Sequence, residues 1–188
     1  MKNISSNIKS KHFNNYGYEI IRSGLNNEYL IYENLMAEYF SKSLSEYLCK
    51  DIVLDKMSNY NEIANNNELD HHGFIASISR KLPLDFHETD FIKNIINHCE
   101  KFIGKKLKIV DNLVWFRICR PGFDDSNDLH RDHWFPNYND VLNLYIPISG
   151  SYCDSAMKIV PKSYSWSDKD VIPTFSGDSG QKYVKNGV

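Results

Sequence analysis

"KLKIVDNLVWFRICRPG", residues 106–122, decides how the rest of the chain is read. It is rich in Val, Ile, Leu, Trp and Phe and ends in Pro-Gly, the composition of a strand that runs into a turn. Runs of the same texture follow at 129–135 ("LHRDHWF"), 140–149 ("DVLNLYIPIS") and 156–161 ("AMKIVP"), parted by Gly, Pro, Asp and Asn. Serial short strands of this kind predict an antiparallel sheet from about residue 105 onward.

Upstream of that point the period of the apolar residues changes. Over 26–48, Leu30, Ile31, Leu35, Met36, Tyr39, Phe40, Leu44 and Leu48 recur at three- and four-residue spacing, the stripe of an amphipathic helix. A second helix is predicted over 87–104: Thr89 or Asp90 caps it, Phe91, Ile95, Ile96, Cys99 and Ile103 line one side, and Gly104 closes it. His98 in that helix is assigned a structural role. "YGYEIIRS" (16–23) reads as a short strand, the first ~12 residues as a disordered or loosely held polar tail, and 59–73 as a polar loop. The adjacent His71 and His72 in that loop are expected to be solvated, because neighbours on an extended chain point to opposite faces.

Helices first and strands afterwards predict an α+β fold: a double-stranded β-helix, the cupin-like jelly roll, with the N-terminal helices packed outside it. The chain is expected to be one domain over 1–188, helical to about 104 and β-rich from about 105. With 22 basic against 24 acidic residues and no run of about five or more like charges, nothing marks a nucleic-acid partner. The four cysteines form no C-x-x-C pair, and neither a signal peptide nor an 18-residue apolar run is present. A reduced, cytoplasmic protein without a membrane span is the expectation.

"DLHRDHWFPNYN", residues 128–139, holds the residues that point to chemistry. His130-Arg131-Asp132 followed by Asn137 matches the H-R-D-x-x-x-x-N pattern of a kinase catalytic loop. Such a loop needs a Gly-rich phosphate loop, a strand lysine and an Asp-Phe-Gly motif, and none of these is present. The other pattern is His-x-Asp. On a strand His130 and Asp132 point the same way while Arg131 and His133 point the other. One imidazole and one carboxylate then converge, two-thirds of the 2-His-1-carboxylate set that holds Fe(II) with open positions for an oxo-acid and O₂.

The order of elements across 113–166 resembles the phytanoyl-CoA dioxygenase-like branch of the Fe(II)/2-oxoglutarate-dependent oxygenases. In that branch an Arg-containing strand leads into L-H-x-D-x-W, then N-x-Y-x-P-L/I, then a segment ending in P-G-S-H-x-W. The resemblance implies that His130 and Asp132 are iron ligands, and that the retained Asp132 favours hydroxylation over halogenation. It implies secondary roles for Arg117, Asn143 and Tyr145 near the cosubstrate, and a place for Trp134 at the substrate pocket. Structural roles for these four are the alternative: a salt bridge for Arg117, hydrogen bonding for Asn143 and Tyr145, core packing for Trp134.

The implied activity couples decarboxylation of 2-oxoglutarate, with O₂, to hydroxylation of an unactivated C–H bond in a small-molecule, lipid-derived or sugar-linked substrate. Two features depart from the pattern. Lys162 and Tyr164 stand where Gly and His are usual, and the distal His and the cosubstrate-anchoring Arg have no counterpart. All seven histidines lie at or before His133, and no arginine follows Arg131. The expectation is a truncated chain, lacking about 40 to 60 residues of the last strands and inactive by itself. The alternative is a non-catalytic jelly-roll or cupin-like module that binds a small molecule or carbohydrate.

Overall fold

The computed structural model describes residues 10–22, 26–66, 68–79, 81–110, 114–125, 141–152 and 155–167, and the backbone of 173–175 and 182–184. By their contacts they divide into two compact units. The first lies within Ile20–Asp125 and takes in Ser10 and Ile148–Gly150; the second takes in Lys11–Glu19, residues 141–147 and residues from Ser151 onward.

The first unit is helical. Its longest element, α2 (Asn26–Leu48), follows the short N-terminal helix α1 (Lys11–Tyr16) of the second unit. Tyr32, Met36, Ala37, Phe40 and Leu44 of α2 are buried, the i, i+4, i+8 stripe that a 3.6-residue period puts on one face. Leu30 and Ile31, which belong to the predicted stripe, are exposed. The buried line begins at Tyr32, whose ring meets Phe91 at 5.0 Å and Phe86 at 6.3 Å. Ser41 and Ser45, which in mid-helix would be neutral at best, bind the chain that returns along α2. Their hydroxyls accept the Leu54 and Ile52 amides at 2.8 and 2.9 Å.

Two short helices follow, α3 (Tyr60–Ala64) and α4 (His71–Ile78), then α5 (Asp90–Ile103). Thr89 caps α5 by accepting the Ile92 amide, and Gly104 closes it at φ 75°, a left-handed conformation that suits glycine. Phe91, Ile92, Ile95, Cys99 and Ile103 bury the inner side of α5 as the spacing predicts, with Ile92 in place of Ile96. The centre of the core is aromatic. Phe40, 1% exposed, has Phe116, Tyr60 and Phe74 around it at 5.0, 5.7 and 6.0 Å between ring centres. All three meet it edge to face, the geometry that ring quadrupoles favour.

A jelly roll is not what the described residues form. Their strands are β1 (Pro173–Phe175) and β2 (Lys182–Val184), an antiparallel pair with Pro173 opposite Val184 and Phe175 opposite Lys182. The predicted strands within 114–120, 141–149 and 157–160 make no ladder. The reason is visible at 114–120. Val114, Phe116, Ile118 and Arg120 are half-buried while Trp115, Arg117 and Cys119 are exposed, so the period-2 alternation is real. It records an extended chain with one side against helices, Phe116 against Phe40 and Tyr39, and does not require a neighbouring strand. Residues 18–22 are likewise irregular, not a strand, and 59–73 is not a loop: it contains α3 and the start of α4.

In the second unit the Lys162 amide donates to the Tyr16 carbonyl at 2.9 Å, and the Tyr164 hydroxyl donates to the Asn14 carbonyl at 2.5 Å. Gly17 is required there twice over. Its φ is 82°, and a Cβ would stand 2.5 Å from the Tyr164 ring. Among the described residues no helix is long and apolar enough to cross a membrane.

Candidate functional site

Helix α4 begins with a cap that the composition of "DHHG" conceals. Asp70 is its N-cap residue, and its carboxylate accepts the Gly73 amide at 3.0 Å. A side chain at position 73 would collide with that carboxylate, since a Cβ would lie 2.2 Å from Asp70 Oδ2. His71 and His72 thus occupy the first two helical positions, about 100° apart around the axis. His71 turns inward and is 5% exposed, while the His72 side chain remains largely in solvent.

Inside, His71 Nδ1 shares a 2.9 Å hydrogen bond with the hydroxyl of Tyr60, at the start of α3. Burial pushes the Tyr60 phenol far above its usual range, so it stays protonated. The His71 imidazole is shifted downward, first by burial and then by the nearby Arg120 charge, and stands neutral at pH 7.

Asp125 faces both rings. His71 Nε2 is 3.8 Å from its Oδ2 and His72 Nε2 is 3.5 Å from its Oδ1. The carboxylate comes from the turn "RPGFDD", where Gly122 has φ 81° and the Phe123 amide donates to the Arg120 carbonyl. Arg120 closes this turn. Its Nε and Nη2 donate to the two Asp125 oxygens at 2.7 and 2.9 Å, and its own backbone amide adds a third bond to Oδ2 at 3.0 Å. Nη1 reaches the Ala64 carbonyl at the end of α3, at 3.2 Å, and the guanidinium lies 3.9 Å over the Phe123 ring. These bonds to the ionised form, those from Arg120 foremost, hold the Asp125 carboxyl down at about 2 although its side chain is only 3% exposed.

Two imidazoles and one carboxylate therefore converge, with one ligand atom from each lying within 4.8 Å of the others. By donor type this is a 2-His-1-carboxylate set. It is not the one expected from the sequence. His130, Asp132 and Trp134 lie outside the described residues. Arg117 is exposed in the first unit, whereas Asn143 and Tyr145 are exposed in the second. His71 and His72, expected to be solvated loop residues, are a helix start with one ring buried. The missed signal was Asp70 directly before the apolar residues Phe74, Ile75 and Ile78. His98, assigned a structural role from the sequence, is exposed on α5, its Nδ1 bonding the Asn94 carbonyl one turn earlier at 2.8 Å. Compared with protein-family models, with characterised proteins and with solved structures, the chain matches none.

Proposed function

We propose that the chain belongs to an Fe(II)- and 2-oxoglutarate-dependent hydroxylase of small molecules, with His130 and Asp132 as two of its iron ligands. The observation that carries this is the order of motifs across 113–166: the Arg117 segment, L-H-x-D-x-W, N-x-Y-x-P-I, and "PKSYSW". One feature of the backbone supports it. Lys162, at the position where the resembled family has glycine, has φ 67° and ψ 0°, the left-handed region that glycine enters freely and other residues seldom do.

The donor set fits the metal in kind. A neutral imidazole and a carboxylate leave Fe(II) open positions, and such an iron, when bound, supplies O₂ activation coupled to 2-oxoglutarate decarboxylation. Asp132 would balance part of the metal charge, and His130 would serve as its neutral donor. Arg117, Asn143, Tyr145 and Trp134 are the candidates for cosubstrate and substrate contacts.

The test is anaerobic addition of Fe(II) and then 2-oxoglutarate to the chain, followed by the visible charge-transfer absorption of an iron-bound 2-oxo acid. The absorption is expected on addition of 2-oxoglutarate, and it should vanish in both His130→Ala and Asp132→Ala. A signal that survives both substitutions would refute the assignment.

A further inference from the structure

We propose that His71, His72 and Asp125 form a separate cation site that takes Zn²⁺ and pins the start of α4 to the 120–125 turn. A carboxylate offers about four lone-pair positions. Among the described residues three are in use in Asp125: Oδ2 accepts Arg120 Nε and the Arg120 backbone amide, and Oδ1 accepts Nη2. The fourth is on Oδ1, the oxygen that faces His72 Nε2 at 3.5 Å. Zinc bonds of about 2.0 Å in a tetrahedron set ligand atoms about 3.3 Å apart. His72 and Asp125 are already close to that spacing, and the exposed His72 ring is able to adjust. His71 Nε2 stands 3.8 Å from the other oxygen, Oδ2, and one ligand atom from each of the three residues lies within 4.8 Å of the others, so the ring must shift toward Oδ1, exchanging its interaction with the Ile118 backbone for the metal.

Tyr60 is the outer support. Metal-bound histidines commonly use their second nitrogen in a hydrogen bond that fixes ring orientation and tautomer. A phenol both donates and accepts, so the 2.9 Å bond from Tyr60 to His71 Nδ1 serves either tautomer, including the one with the Nε2 lone pair free. The choice of metal follows from Arg120. Its charge cancels that of Asp125, which leaves little net negative charge to attract Mg²⁺ or Ca²⁺, ions that depend on several oxygen donors. Two imidazole nitrogens with one oxygen suit a borderline ion such as Zn²⁺.

The experiment is calorimetric titration of Zn²⁺ into the full chain carrying His130→Ala and Asp132→Ala, which keeps it independent of the oxygenase site. One Zn²⁺ should bind, Mg²⁺ should give no heat, and adding His72→Ala should weaken zinc at least tenfold. His72 is exposed, so that variant should keep its far-ultraviolet circular dichroism. No Zn²⁺ binding in the His130→Ala, Asp132→Ala chain, or an affinity that His72→Ala leaves within threefold, would overturn the proposal.

Discussion

Asp125→Asn keeps the shape of the side chain and removes its charge, so it isolates what the Arg120 clasp contributes. The folded carboxyl sits at about 2, below its ordinary 3.8. A depressed carboxyl contributes stability that is present above the unfolded value and lost as pH falls through the folded one. At about 1.4 kcal/mol per pH unit, this separation is worth on the order of 2–3 kcal/mol at pH 7. By the same relation roughly half of it remains at pH 3 and little of it at pH 2. The side chain is almost wholly buried, so solvent screening does little to reduce the figure. Urea unfolding of both proteins, with a chelator present, should give a stability gap that narrows along this course. Near neutrality it corresponds to a midpoint about 5–10 °C lower in a thermal scan. A gap under about 1 kcal/mol at pH 7, or one that does not change between pH 7 and pH 2, would refute the placement of Asp125 under Arg120.

Two more perturbations bear on the same unit. His71 is held neutral, and a base whose folded value is lowered contributes stability that is complete above its ordinary 6.5 and lost as pH falls below it. Unfolding free energy of the wild type should therefore decline from pH 6.5 to pH 5 with a slope that His71→Gln flattens; equal slopes would show that the ring is not desolvated. Phe40→Ala removes the ring at the centre of the aromatic cluster, and the cost should be about 3–5 kcal/mol. That is a third or more of the total stability of an ordinary domain, so chemical denaturation should show a midpoint shift large enough to leave the variant partly unfolded at 37 °C.

The sequence made the long helices legible because two independent signals coincide in each. In α5 the apolar spacing and the caps at Thr89 and Gly104 agree, and in α2 the line through Met36, Phe40 and Leu44 runs for about two turns. The stripe was off by one residue at its start because Ile31 and Tyr32 are both apolar enough to fill it. Only packing against Phe86 and Phe91 selects Tyr32. Helix α4 was hidden by its polar first turn, where Asp70, His71 and His72 look like loop residues unless Asp70 is recognised as a cap. The strand texture after residue 105 misled for a physical reason. Alternation reports which side of an extended chain is covered, and at Phe116 the cover is α2 and not a second strand.

The cluster at Asp125 was beyond sequence reasoning because its members meet only after folding, with more than fifty residues between the histidines and the carboxylate. Its chemistry turns on Arg120. A carboxyl 3% exposed and without a cation beside it would be driven toward its neutral, protonated form, and would then be a poor ligand. Arg120 keeps Asp125 ionised and aims Oδ1 at His72, yet the same guanidinium cancels the charge that a hard cation needs. A buried ion pair is not required merely to close a turn, since an apolar pair of similar volume often does so at equal or better stability. What the ion pair adds here is a carboxylate that is buried, charged and fixed in direction, with one lone pair that no described residue takes up, beside two imidazoles.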